Sequence, residues 1–477
     1  MATTLMATLL HGYQQHASQL KGRRVWVACS AGRDSMALAY QIHQLYLQGK
    51  LPFAPQLIHV NHGLQPANDD WAKQVKTWAN THNISCQICH ANLKGTDEQS
   101  ARNGRYEAMA KLMEEGDVLM LAHHADDQAE TLLMRLFNGA GVAGLSAMNE
   151  WTAKQVGGKT IQLWRPWLTV SRADITVYAK ANNLPYIDDP TNFSTELVDD
   201  NSKSNNTRSW LRTQLMPVIV QKYPKAVANI NRSAELLGNA NNLLSQQADK
   251  LKKSVTNHTL TKRPYQQVLD IELLRQLTSS EQSLVVHTWL QGNKNDEPLP
   301  PNKQRVDDVI KLIKRTDNDH QTKIVWQGKH HYTVCRYRGQ LYRLRYDWLV
   351  WLKKPIKAQT LILGDIGPES VDGHKCTDSL TNSQPTEKLV LTIKDDGNIS
   401  WQVDLDSLKL DHAKRINVRA LTREDKIMLT GHSVAKSGKK LLQDLAVPVW
   451  CRASLALVLA DSKPVMLLLP TQTWVLS

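Results

Sequence analysis

Residues 25–40, VWVACSAGRDSMALAY, constrain the fold more than any other stretch of this chain. A valine-rich apolar run reads as a buried strand, breaks at Ser30-Ala31-Gly32-Arg33-Asp34-Ser35, and passes into apolar residues at helical spacing. Strand, tight turn and helix in that order imply a parallel sheet with crossover helices. Similar runs at 57–60, 84–89, 118–122 and 161–164 alternate with helical patterns that begin near Ser35, Asp70, Asp97, Asp126 and Ser171. Residues 23 to about 189 therefore read as a doubly wound α/β domain of Rossmann-like type. Ligands of such a sheet sit at the C-terminal ends of its strands.

The turn itself suits phosphate. A strand-to-helix turn aims backbone N–H groups and a positive dipole end at whatever lies above the sheet. Ser30 and Ser35 add hydroxyls, and Gly32 lets the backbone come close. The lysine of G-x-x-x-x-G-K-[ST] is absent, so this is not a loop that delivers a γ-phosphoryl group. Asp34 would repel phosphate unless Mg²⁺ or another cation lay between them. Two other readings remain: a nucleophile elbow with Ser30 as nucleophile, and a polar turn without a ligand.

A second signal lies in residues 117–144, DVLMLAHHADDQAETLLMRLFNGAGVAG. A strand runs into His123-His124, and a helix follows on which Asp126 and Glu130, or Asp127 and Glu130, share a face. Acids at a helix N-terminus complement its dipole in any protein. Three of them beside two histidines, at the end of a central strand, suggest a site. Adjacent histidines cannot face one zinc ion as an H-x-x-x-H pair does.

A chain of 477 residues exceeds one hydrophobic core. The α/β domain is expected over 1–216, followed by a mainly helical domain with a small sheet over 217–346. In the latter, Leu237, Ala240, Leu244, Ala248 and Leu251 repeat at helical steps and define one apolar face. Residues 347–387 read as a linker or irregular insertion, 388–477 as a small β-rich C-terminal domain, and the polar stretch 192–206 as a mobile loop. Net charge of +13 favours a polyanionic partner. Six cysteines without regular spacing, no export signal and no membrane-length apolar run point to the cytoplasm. Cys86 and Cys89 lie in a strand-like run, where residues three apart face opposite sides, so core packing is preferred to a cluster.

The 30–35 turn SAGRDS resembles the S-G-G-x-D-S loop of the N-type ATP pyrophosphatases, the PP-loop superfamily. Within it, HVNHGLQPANDDW (59–71), ARNGRYEAM (101–109), HHADDQAETLLMRLFNGAGVAGLSAM (123–148), the RPWL, SRADI and YIDDPTN segments of 165–192, and RSWLRTQLMP (208–217) are similar to bacterial tRNA(Ile)-lysidine synthetases. So are VRALTREDKI and GHSVAKSGKKLLQDLAVPVWCR within 418–452. The resemblance implies joining of free L-lysine to the wobble cytidine of a CAU-anticodon tRNA(Ile), with ATP cleaved to AMP and diphosphate. It implies that Ser30, Ala31, Gly32, Arg33, Asp34 and Ser35 grip the ATP phosphates. Asp34, Asp127 and Glu130 would serve Mg²⁺, the lysine substrate or proton removal, with Asp34 or Asp127 as the Mg²⁺ ligand. Arg208 or Arg212 would steady the lysine carboxylate or the reacting nucleotide.

Arg102 and Arg105, near the ATP loop, and Arg419, Lys436, Lys439 and Lys440, near the C-terminus, are the expected tRNA contacts. A tRNA thiolase, or a tRNA binder without turnover, is the alternative. Four positions depart from the family pattern: Ala31 stands for a glycine, Asn138 for an arginine, Ser209 for an asparagine and Glu424 for a glycine. The Ala31 methyl is expected where the backbone nears phosphate.

Overall fold

Apolar residues at every position of a short run must be covered on both faces, and helices on both faces do this here. The computed structural model describes all residues except 1, 62–67, 92–97, 188–206, 263–264, 293–300, 317–321, 328–330, 363–389, 405–413, 432–433 and 477. The 192–206 stretch and most of the expected linker therefore lie outside the described residues. The chain divides into two units, 1–244 and 245–477.

In the first unit the strands are β1 (Val25–Ala28), β2 (Gln56–Asn61), β3 (Ser85–His90), β4 (Val118–Met120), β5 (Trp151–Val156) and β6 (Lys159–Trp164). They form one six-stranded sheet in the order β3-β2-β1-β4-β6-β5. All neighbours run parallel except β5, which is antiparallel to β6. The helices are α1 (Ala2–Leu20), α2 (Arg33–Leu47), α3 (Asn68–Thr81), α4 (Glu98–Leu112), α5 (Ala125–Phe137), α6 (Val142–Leu145) and α7 (Arg172–Ala181). Val25 and Val27 enter one core with Met36, Leu38, Val75 and Ile175, whereas Trp26 enters another with Tyr106, Met109 and Leu119. The order of strands reverses between β1 and β4, and a crevice opens there above the strand ends.

The doubly wound reading holds, with one strand more than expected. β5 is joined to β6 by Gly157-Gly158, with φ of 58° and 83°. Its residues, WTAKQV, are too polar for a buried strand and occupy the sheet edge. Two glycines at positive φ are a hairpin signal, and that signal was available in the sequence.

Beyond Thr207 come α8 (Thr207–Trp210), a π-helical turn (Leu211–Leu215), α9 (Met216–Lys222) and the long α10 (Ala226–Val255). Leu211 and Met216 pack with Ala129 and Leu133 of α5, joined by Ile219, Val227 and Ile230, and Ala234 packs with Leu132. Residues 217–244, expected in the second domain, are thus bound to the first unit. Of the apolar face expected on α10, Ala248 is fully buried and Leu251 packs into a core, whereas Leu244 is 42% exposed.

The second unit holds a four-stranded antiparallel sheet of Gln266–Asp270, Gln340–Arg345, His331–Tyr337 and Lys323–Gln327, with helices Ser279–Gln291 and Lys303–Lys314. It also holds a five-stranded sheet of Gln359–Ile362, Arg415–Ala420, Ala456–Ala460, Lys463–Leu469 and Gln472–Val475. The expected start of the linker is instead a helix, Tyr346–Lys353, because Trp348 and Trp351 are buried and stacked 4.8 Å apart. One core runs from Val268 and Tyr342 through these tryptophans to Trp450 and Leu457.

Candidate active site

At the end of β1, Cys29 N–H donates to Ile58 O (2.9 Å), and the chain then leaves the sheet. Ser35 closes the turn: its hydroxyl accepts from Ser30 N–H (3.1 Å) and donates to Gly32 O (2.9 Å). Ser30 Oγ lies 3.2 Å from Ser35 Oγ and 3.4 Å from Gly32 N. Gly32 is the N-cap of α2, so the first N–H groups of that helix have no carbonyl partners within it. Ala31 corrects the expectation about its methyl. Its φ is +67°, it is 1% exposed, and it belongs to the core beneath the loop instead of the cavity wall. Alanine there carries left-handed strain of about 1 kcal/mol, and its methyl does not crowd a phosphate.

The opposite wall is the start of α5. His124, not an aspartate, is its N-cap: the imidazole accepts from Asp127 N–H while Asp127 Oδ2 accepts from His124 N–H (3.1 Å). His124 Nε2 lies 3.5 Å from Asp127 Oδ2 and 3.7 Å from Asp34 Oδ2, so it joins this wall to the phosphate-type loop. Burial favours neutral His124, but Asp127, Asp34 and Asp126 outweigh it and raise its pKa. Burial works against the Asp34 carboxylate in turn, and His124, Arg33 and Arg172 overcome it, leaving Asp34 below the usual range. His123 is pushed down to about 3, chiefly by burial, and stays neutral.

A third element supplies the arginines. Pro217 has no N–H to return to Thr213, and the helix ahead of it widens into the π-turn Leu211–Leu215. From that turn Arg212 donates to both oxygens of Glu130 (2.8 and 2.9 Å) and to Asp127 Oδ1 (3.2 Å). Arg208 Nε lies 3.8 Å from Glu130 Oε2. Glu130 is 2% exposed; burial raises its pKa against the pull of Arg212.

These elements enclose a cavity of about 360 Å³. Ser30, Gly32, Arg33, Asp34 and Ser35 line it from the loop, Asp127 from α5, Arg208 and Arg212 from the π-turn region, and Arg102 and Arg105 from α4. Glu130 does not line it; it lies behind the arginines. His123 and His124, which the sequence set beside the acids, also line the cavity, as do Tyr106 and Arg172, to which sequence reasoning gave no role. The signal for these last two was their position inside the 101–109 and 165–192 segments that resemble the family. Cys86 belongs to one core and Cys89 packs against the other, so they face opposite sides of the sheet.

Residues 3–219 match the model of a PP-loop domain, 269–342 that of the TilS substrate binding domain, and 416–468 that of the TilS substrate C-terminal domain. A tRNA(Ile)-lysidine synthase of Psychrobacter sp. (strain PRwf-1) is 41% identical over 95% of this chain and 88% of its own. The chain belongs to the tRNA(Ile)-lysidine synthase family. Another member, from Xanthomonas campestris pv. campestris, is 30% identical over 91% of this chain and 88% of its own. Among solved structures, a U34-tRNA thiolase from Methanococcus maripaludis aligns at 17% identity and a TM-score of 0.37, over 50% of this chain and 80% of that one.

The departures from the lysidine synthase pattern fall mostly outside the cavity. Asn138 is the exposed C-cap residue of α5, and Ser209 is buried. Glu424 is exposed and lacks the positive φ that would demand glycine. Of the C-terminal basic residues, Arg419 is held bidentately by Asp425 (2.6 and 2.8 Å), and Lys436 pairs with Asp444 (2.5 Å). Internal pairing neutralises those two charges. Lys439 and Lys440 are exposed on the short helix Gly438–Asp444.

Proposed function

We propose that this chain joins free L-lysine to C2 of the wobble cytidine in a CAU-anticodon tRNA(Ile), in the cytoplasm, using ATP. The observation that carries this reading is a single cavity with the 30–35 loop on one side and Asp127, Arg208 and Arg212 on the other, bridged by His124 and Asp34.

The loop grips the diphosphate portion of ATP through backbone N–H groups and the Ser30 and Ser35 hydroxyls. Cytosine O2 attacks the α-phosphorus, the α–β phosphoanhydride bond breaks, and diphosphate leaves. The lysine ε-amine then attacks C2, the C2–O bond breaks, and AMP departs. A lysine amine is neutral in only about one molecule in two to three thousand at pH 7, so carboxylates must both attract the ammonium and take its proton. Asp34 and Asp127 face the cavity for this. Glu130, behind them, is a positioning residue that holds Arg212 and Arg208 toward the lysine carboxylate or the nucleotide. Holding the reactants in line contributes several kcal/mol, up to roughly 7–11 in well-oriented model systems. Mg²⁺ fits beside the loop, since Asp34 is ionised and partly exposed there, and one or two carboxylates plus phosphates suffice for it. When bound, it would neutralise charge on the departing diphosphate.

Sulfur transfer is not favoured, because Cys86 and Cys89 lie on opposite faces. The test is mass analysis of unmodified CAU tRNA after incubation with ATP and lysine. A gain of lysine minus water is expected; no gain, with ATP bound, would leave only a tRNA-binding role.

A further inference from the structure

Lys154, Arg102 and Arg165 gather around Tyr106, in the core on the other side of the sheet from that beneath the 30–35 loop, and Arg135 lies near Arg102 and Arg165. Lys154 Nζ of β5 stands 4.6 Å from the Tyr106 ring centroid, and Arg102 Cζ of α4 stands 6.0 Å from the same centroid. Arg165, 5% exposed, donates to Asn149 O (2.8 Å), and its Nε is buried without an acceptor. Arg135 donates to Gly144 O and Ala147 O. The last two therefore hold neutral carbonyls, and among the described residues no carboxylate pairs with Lys154, Arg135 or Arg165. Burial lowers the pKa of Lys154, and Arg102 and Arg165 lower it further. A half-buried group of like charges is a standing cost unless an anion joins it.

We propose that Lys154 and Arg102 form a phosphate subsite for the polynucleotide backbone, separate from the ATP loop. This inference rests on the tRNA reading above. Arg102 and Tyr106 line the cavity and Lys154 does not, so the positive strip leaves the cavity along the edge strand. A chain of phosphodiesters entering the cavity would pass both groups, one at the cavity wall and one beyond it. The strand that carries Lys154 also sits at the open edge of the sheet, where a long substrate has access.

The test uses the full chain, tRNA and ATP, with Lys154→Met and Lys154→Arg. Binding of tRNA by the unsubstituted protein is measured first; its absence would sink the proposed function itself. Lys154→Met should then bind tRNA about tenfold more weakly, as for one lost charge-assisted bond. The slope of log affinity against log salt should flatten by about 0.7–0.9, the value for one phosphate contact, and Lys154→Arg should restore it. Thermal stability should not fall, because among the described residues no acid pairs with Lys154. Unchanged tRNA affinity and salt slope in Lys154→Met would overturn the subsite, as would a rise in the KM for ATP with tRNA binding intact.

Discussion

Arg212→Met removes the cation that holds Glu130, and its consequences can be worked from the site. Glu130 is 2% exposed and accepts two hydrogen bonds from Arg212, at 2.8 and 2.9 Å. Charge-assisted bonds of this kind contribute about 1.5–3 kcal/mol each. Arg208 Nε, at 3.8 Å from Glu130 Oε2, is too distant to replace them. Leaving a buried carboxylate unpaired costs about 3–5 kcal/mol. Protonation limits that cost. Burial already lifts Glu130 above its ordinary 4.5, and without Arg212 the pKa must rise further.

With the folded pKa above the unfolded one, the folded chain binds the extra proton between them. The stability from this group is complete below the unfolded pKa and is lost as pH rises through the folded pKa. Arg212→Met should therefore be about 3 kcal/mol less stable at pH 7.5, and the deficit should shrink toward pH 5. Adding Glu130→Gln should recover most of the loss. Urea unfolding of the full chain at both pH values measures each quantity. A deficit under about 1 kcal/mol at pH 7.5, an equal deficit at pH 5, or a double variant as unstable as the single one would refute the account.

Ala31→Gly should leave stability within about 1 kcal/mol of the original, since relief of left-handed strain is offset by the lost buried methyl and a looser unfolded chain; Ala31→Val should cost more than that in the same urea assay. Gly438→Ala should destabilise the second unit by about 1–3 kcal/mol or more, because the new Cβ would stand 1.9 Å from Thr422 O, a backbone atom that cannot turn aside; an unchanged thermal midpoint would contradict this. Burial, reinforced by Lys354, lowers Lys394 to about 8 from 10.5. Here the unfolded chain binds more protons between those values, so stability rises with pH there. Wild type should gain on Lys394→Met by up to about 3 kcal/mol from pH 8 to 10.5, and a difference flat in pH would rule it out.

Local chemistry made much of this protein legible in its sequence. Parallel strands buried on both faces must be short apolar runs, so β1, β2, β4 and β6 could be read directly, and the 30–35 turn marked the crevice above them. The acids of α5 were visible as a helix-start cluster. What local pattern could not convey was which groups face one another. Only the reversal of strand order beside β1 brings Asp34 to His124, and only the π-turn before Pro217 carries Arg212 to Glu130, which lies 82 residues earlier. The Ala31 methyl points into the core because the backbone turns left-handed there, a conformation no residue letter specifies. Arg419 and Lys436 look like free charges in sequence and become internal ion pairs in the fold. Strand, turn and helix follow from neighbours along the chain, whereas pairing, burial and the state of each carboxylate follow from neighbours in space.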